Sequence, residues 1–258
     1  MHKKAIVYPL KTPGGSSYNN FEIKHSLRSI ERHLKENVPV YVIAGEKPDF
    51  LSPEVNFIQE KGYMKAMIKA CDIAEEIVWW NDDIYLINDL DWEYLRKWRR
   101  AGKQMSLKEQ NSRIKSSNVW SRNLGKVIKK LRQEGLPTYS YVSHSPYMYE
   151  TSKLKKLLET WNFGYKTSME TAYGNVYNPP LRKSGDKIMR YHKKYFWGDV
   201  CEGKVMLNHD NQGFTRSLRF WLQTKFPNSS KYELSRCKPV VKAPKNKVMR
   251  VKLRLKGG

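Results

Sequence analysis

Asn81, Asp82 and Asp83 stand together between two apolar runs, Ile77-Val78-Trp79-Trp80 before them and Ile84-Tyr85-Leu86-Ile87 after. Adjacent carboxylates repel, and burial penalises the ionised form. Such a pair has three ordinary uses: holding a divalent metal, sharing acid and base roles, or capping the next helix. Capping fits poorly, because residues 84–87 continue as an extended apolar run. A hard cation, Mn²⁺ or Mg²⁺, would cancel the repulsion and join the carboxylates to substrate phosphates; a surface turn is the competing reading. His209 and Asp210 form a second candidate site, weighed against a structural histidine before a helix capped by Asp210 or Asn211. His144, before Pro146 in a tyrosine-rich turn, is the alternative to His209.

The elements that must position these groups alternate in type. Residues 4–10, KAIVYPL, read as a strand ending at Pro9, followed by a TPGGSS loop. Ile23, Leu27, Ile30 and Leu34 recur at helical spacing, with Asn19 or Asn20 as cap. Residues 38–45, VPVYVIAG, have the continuous β-branched pattern of a strand buried on both faces. A short third strand begins at Val55, a helix covers 64–76, and a fourth strand, 76–80, delivers the Asn-Asp-Asp turn. This order predicts a mostly parallel sheet covered by helices, and ligands of such sheets bind beyond the carboxyl ends of the strands. Tyr8-Pro9-Leu10-Lys11, Ala44-Gly45-Glu46-Lys47 and the acidic turn all fall at such ends. Lys11 is placed to meet a diphosphate, as is Lys231 from the C-terminal side; Lys65 and Lys69 are helix charges that could face a nucleotide. Further on, 91–100 and 118–134 read as helices, 139–150 as a strand and turn, 154–161 as a helix, and 204–214 leads into another helix.

The chain carries 48 Lys and Arg against 25 Asp and Glu, a net +23. From Arg96 to Arg132 Glu109 is the only acid, and from Lys238 onward eight basic residues occur with no acid. Aromatics and amides among them (Trp98, Trp120, Asn111, Asn118, Asn123) favour a nucleic-acid surface over a merely solvated face; membrane headgroups would answer to the same charge. Three cysteines without metal-type spacing suggest a reducing, cytoplasmic setting without a disulfide framework. No apolar run approaches the roughly 18–20 residues that cross a bilayer, and the short apolar start reads as a strand rather than a signal peptide. There is no P-loop and no G-x-G-x-x-G, which counts against ATPase and dinucleotide chemistry, and no Ser-His-Asp or Cys-His pattern.

The segment NDDIYLI after a buried strand resembles the short acidic motif of GT-A glycosyltransferases. The stretches NNFEIKHSLRSIERHL and VPVYVIAGEKPDFL are similar to the opening of phage-encoded GT-A transferases and of the related stealth-type sugar-phosphate transferases. HSPYMYE, LNHDNQGF and FPNSSKYE look like later blocks of the same group, in order over most of residues 4–234. The resemblance implies a GT-A-like α/β domain with a Rossmann-like central sheet over residues 1–237. Its 1–90 half would bind nucleotide, its 91–237 half acceptor, and 238–258 would be a basic tail. It also implies a nucleotide-sugar donor, a UDP-sugar in the first instance, held through the metal. Where the family has a first aspartate this chain has Asn81, so Asp83 becomes the direct metal ligand, Asp82 contacts sugar or ribose hydroxyls, and the two roles could be exchanged. His209 would complete the metal shell. If the reaction inverts the anomeric centre, a base must take the acceptor proton. Glu170 and Asp210 are the candidates, a helix N-terminal carboxylate being the other reading of Glu170.

The charge then selects an acceptor. Double-stranded, base-modified DNA, as a hydroxymethylated pyrimidine in a phage genome inside its bacterial host, would be gripped by Arg96, Arg99, Arg100, Lys103, Arg113, Lys115 and Arg122, and from the tail by Lys245 and Arg250. A stealth-type phosphotransferase or cell-surface polysaccharide transferase is the alternative, and a non-catalytic nucleic-acid binder or metal nuclease the second.

Overall fold

A computed structural model describes residues 1–10, 20–161, 168–182, 188–191, 201, 203–209 and 213–234, of which 188–191 as backbone only. Lys11, Asp210, Lys245, Arg250 and the basic tail lie outside the described residues.

Strand β1 (His2–Leu10) leads to helix α1 (Phe21–His33), then to β2 (Val40–Ala44) and β3 (Val55–Gln59), helix α2 (Tyr63–Ala70) and β4 (Ala74–Trp79). After β5 (Ile84–Leu86) come α3 (Trp92–Arg96), α4 (Leu107–Ile114), α5 (Val119–Gln133), β6 (Tyr147–Glu150), α6 (Thr151–Trp161), α7 (Met169–Tyr177), β7 (Ile188–Tyr191), β8 (Met206–His209) and α8 (Arg216–Lys225). The central sheet has the order β3-β2-β1-β4-β6, parallel except for β6 at one edge. This is an α/β arrangement compatible with a Rossmann-like fold. Strand order reverses between β1 and β4, which opens a crevice at the carboxyl ends of those two strands.

Alternation along β1 explains why helices cover both faces. Ala5 and Val7 enter one core with α2, α5, α6 and α7, while Ile6, Tyr8 and Leu10 enter the other with α1. Side chains of period two must be covered on both sides when both sets are apolar. The two tryptophans before the acidic turn divide likewise: Trp79 belongs to the α2 side and Trp80 to the α1 side.

The expected elements exist, with shifted ends. The second helix stops at Ala70, because Ile73 and Ala74 are buried and β4 already pairs Ala74 with His2. The helix expected over 91–100 stops at Arg96. The Trp98 N–H instead donates to the Pro180 carbonyl at 2.7 Å, a tertiary contact that overrides helical continuation. Asn20 occupies the cap position of α1 but makes no side-chain cap bond; Asn118 does cap α5, accepting from Trp120 and Ser121. Two features were not anticipated. Helix α4 begins with a reciprocal Ser106–Glu109 capping box. A second sheet of order β5-β8-β7 takes up residues 84–86, packed against α1 through Ser26 Oγ to Ile84 O (2.5 Å) and Leu86 N to Ser29 Oγ (2.9 Å). None of the described helices is long and apolar enough to cross a membrane.

Candidate functional site

Beyond the carboxyl ends of β1 and β4 lies a cavity of about 400 Å³. Pro9 and Leu10 come to it from β1, Trp79 and Asn81 from β4 and the turn after it, Tyr63 from α2, and Glu170 from α7. Two regions a hundred residues apart thus meet where sequence reasoning placed the ligand.

The acidic turn is braced at both ends. The Trp80 N–H donates to Val7 O at 2.9 Å, and its indole Nε1–H reaches both Ser26 Oγ and Ile84 O at 3.2 Å. Ile84 N closes the turn onto Asn81 O at 3.3 Å. Asn81, Asp82 and Asp83 keep partial solvent contact. The Asp82 carboxyl is raised above its ordinary range by loss of solvation, opposed by its own backbone N–H and that of Asp83. Burial alone accounts for the raised carboxyl, and a cation bound beside it would lower it again.

The strand register then brings the second candidate to the first. Strand β5 pairs antiparallel with β8, Ile84 opposite Asn208 and Tyr85 opposite Leu207. Asp83 directly precedes Ile84 and His209 directly follows Asn208, so the pairing sets the end of the acidic turn close to the end of β8. His209 is buried, its Nε2 3.0 Å from Tyr85 Oη and 3.5 Å from Glu22 Oε1. The Tyr85 hydroxyl is held well above its ordinary range, first by burial and then by Glu22, Asp83 and Asp82, so these carboxylates share one neighbourhood. Glu22 was not singled out from the sequence; its only signal is its place in the first turn of α1. Among the described residues, no three or more His, Cys, Asp or Glu side chains are arranged to hold a metal by themselves. A Mg²⁺ or Mn²⁺ that shares substrate phosphates and keeps its waters needs only one or two protein carboxylates, and Asp83 has that donor chemistry. His209 offers an imidazole nitrogen, a poorer match for these hard cations, and its Nε2 already meets Tyr85 and Glu22.

Glu170 enters from the other side. It is 8 % exposed, accepts a 2.7 Å hydrogen bond from Ser168 Oγ, and burial pushes its carboxyl above the usual range. Helix α7 is fixed by aromatic packing: Tyr173 stacks on Trp98 at 5.2 Å, and Asn175 bonds both the N–H and the carbonyl of Tyr139. Gly174 permits the approach, since a Cβ there would lie 2.5 Å from the Tyr141 ring. Glu170 is therefore both the first-turn carboxylate of a helix and a wall of the cavity. His144, with a left-handed φ of 45°, lines the same cavity, and its carbonyl accepts from Asn208 Nδ2. Asn208 is 1 % exposed, and its Oδ1 has no partner among the described residues.

Other expected ligands lie elsewhere. Tyr8 is fully buried beneath α1 with its hydroxyl 2.8 Å from Ser26 Oγ, so it supports the turn rather than facing a nucleotide. Lys231 Nζ bonds Asn37 Oδ1 at 2.8 Å, just before β2, and its N–H bonds Glu31. That is the amino end of the strands, so Lys231 is removed from the cavity at their carboxyl ends. Lys65 is exposed on α2, whereas the cavity takes Gly62, Tyr63 and Ala66 from that region; Gly45 closes β2, its carbonyl accepting from Gln59. Among the basic residues, Arg96 is bound to Glu76 (2.6 Å) and Glu93 (3.1 Å), which leaves it little field for phosphate. Arg100 lies 3.9 Å over the Tyr139 ring and bonds Tyr141 and Asn178. Arg122 bonds the Ser116 carbonyl, Arg99 and Lys115 are exposed, and Lys103 and Arg113 line a groove beside the cavity.

No protein-family model matches the chain, and no curated protein is significantly similar to it.

Proposed function

We propose that this chain is a metal-dependent glycosyltransferase of the GT-A type that transfers a sugar from a UDP-sugar to a hydroxyl acceptor, most specifically a hydroxymethylated pyrimidine in DNA. One observation carries the reading. At the strand-order reversal, a cavity is lined by Asn81, the first residue of the Asn-Asp-Asp turn, and by a buried carboxylate, Glu170. A bound Mn²⁺ or Mg²⁺ would supply charge neutralisation for the departing nucleoside diphosphate. Asp83, with His209 beside it, would hold the ion, and Asp82 would orient donor hydroxyls. Trp79 and Tyr63, ring centroids 5.4 Å apart, give the cavity an aromatic side suited to a base or sugar ring. Glu170, whose proton affinity burial raises, accepts the proton of the attacking hydroxyl. The excess of +23 suits a polyanionic acceptor better than a neutral glycan.

The test is incubation of the protein with a panel of UDP-sugars, Mn²⁺ and either plain or hydroxymethylated DNA, followed by nucleoside mass spectrometry. A hexose or pentose added only to the hydroxymethylated base is the expected result. Asp83→Asn is expected to lower turnover by at least about a hundredfold, as loss of one electrostatic stabiliser does elsewhere. Unchanged turnover in that variant with Mn²⁺ present would sink the metal-dependent reading.

A further inference from the structure

The cavity is not closed on the side of the basic segment. A groove of about 780 Å³ runs alongside it between the 101–105 stretch, α4 and the start of α5. Trp120, Val142 and His144 line both spaces and so form the sill between them. Trp120 sits in the first turn of α5 and, at 38 % exposure, is the most exposed tryptophan among the described residues' large apolar side chains. Lys103 and Arg113 line the groove with Asn118, and the first turn of α5 holds no acid. The one carboxylate there, Glu109, is turned into the capping box, 2.8 Å from Ser106 N and 2.9 Å from its hydroxyl. Beyond Glu109 and Arg113 the surface continues as a shallow trough lined by Ser112, Ser116, Ser117 and Ser121 with Lys108.

A cationic groove with an aromatic ring at its inner end is the combination that binds nucleic-acid strands: phosphates follow the charge and a base stacks on the ring. Position decides the state of the strand. Glu170 and Asn81 line the cavity and not the groove, so an acceptor hydroxyl that enters from the groove passes Trp120 and His144 to reach them. A base still paired and stacked in a duplex cannot pass into a space of 400 Å³. We infer that this groove binds nucleic acid as an unpaired nucleotide, extruded from a duplex or in a single strand. Its base lies on Trp120 and its phosphates lie along Lys103, Arg113 and the serine-lined trough. The inference rests on the transferase reading for the direction of entry, but its binding test does not need turnover.

The full-length protein is titrated, without donor or metal, against fluorescently labelled oligonucleotides of one sequence: single-stranded, perfectly paired, and paired except for one central mismatch. Anisotropy is read at a salt concentration that suppresses loose phosphate binding. The single strand and the mismatched duplex are expected to bind more tightly than the perfect duplex. Trp120→Ala is expected to weaken both by about tenfold, the order of one lost base stack, and Trp120→Phe to retain most of the affinity. Arg113→Glu is expected to weaken all three and to flatten the salt dependence. Should Trp120→Ala fail to fold, the Phe and Glu variants and the ranking of the three oligonucleotides remain decisive. Equal affinity for all three probes, or a Trp120→Ala protein that folds and binds as the wild type does, overturns the inference. Sugar transfer measured separately keeps the two failures apart. Strand binding that depends on Trp120 with no transfer defeats the transferase and leaves the groove. Transfer to an acceptor whose binding ignores Trp120 defeats the groove and leaves the transferase.

Discussion

Two buried titratable side chains make their consequences measurable. Glu170 is raised by burial, and a base of this kind is ionised only above its own pKa, so the acid limb of a rate profile should lie above the ordinary glutamate range. Glu170→Gln, which keeps the shape and the Ser168 contact, is expected to reduce turnover by about 10²–10⁴ with little change in nucleotide binding, read by steady-state kinetics beside a calorimetric titration. His25 acts on stability instead. Its Nδ1 is 2.8 Å from the Phe21 carbonyl and its Nε2 faces the Arg28 guanidinium at 3.4 Å, so the neutral ring donates on one side and accepts on the other. Burial, with Arg28 adding to it, pushes its pKa down to about 3. Between about 6.5 and about 3 the unfolded chain therefore binds a proton that the folded chain refuses. Stability is complete above that window and falls as pH drops, by roughly 1.4 kcal/mol per unit. Urea melts at pH 7 and pH 5 are expected to show a larger loss of unfolding free energy between the two in the wild type than in His25→Gln; an equal loss in both would count against this imidazole.

At the scale of elements, what the sequence made legible was whatever depends on local pattern. The continuous apolar runs of β1, β2 and β4 gave their existence and burial, and the crevice followed from their order. The start of α5 at Asn118 and Glu170 as a first-turn carboxylate were also local readings, whereas the capping role of Asn118 was not read. Helix α4 was legible too, in the Ser106-x-x-Glu109 pattern, but passed unread beneath the basic residues around it. Ser106→Ala is expected to cost about 1 kcal/mol in chemical denaturation, with the loss confined to protection of amides in α4. Other features had no local signature. The turn before β5 is held by Trp80, whose partners Ser26 and Ile84 lie on different elements. Tyr8 and Lys231 were misplaced for the same reason: type and strand-end position suit a ligand, and only the packing of α1 and of residues 230–234 directs them elsewhere.

Taken whole, the molecule sets a basic face beside a pocket lined by few charges, and no lysine or arginine lines that pocket among the described residues. On the proposed reading, charge balance at the donor would fall to the acidic turn and its cation, and the lysines and arginines would be left to the acceptor. The most distant contact in sequence is also among the most buried. Arg28 of α1 meets Glu233 through two 2.7 Å hydrogen bonds, with side chains 2 % and 0 % exposed. Arg28→Met alone is expected to cost about 3–5 kcal/mol by stranding Glu233, while Arg28→Met with Glu233→Leu should recover most of it, measured by thermal and urea unfolding. The same pair bears on how the chain comes off the ribosome. Strand β1 and helix α1 are made first, yet a lone guanidinium cannot be sealed between α1 and the Phe226 carbonyl until residue 233 has emerged. The amino-terminal third is thus expected to wait, loosely formed, for nearly the whole described chain before it locks.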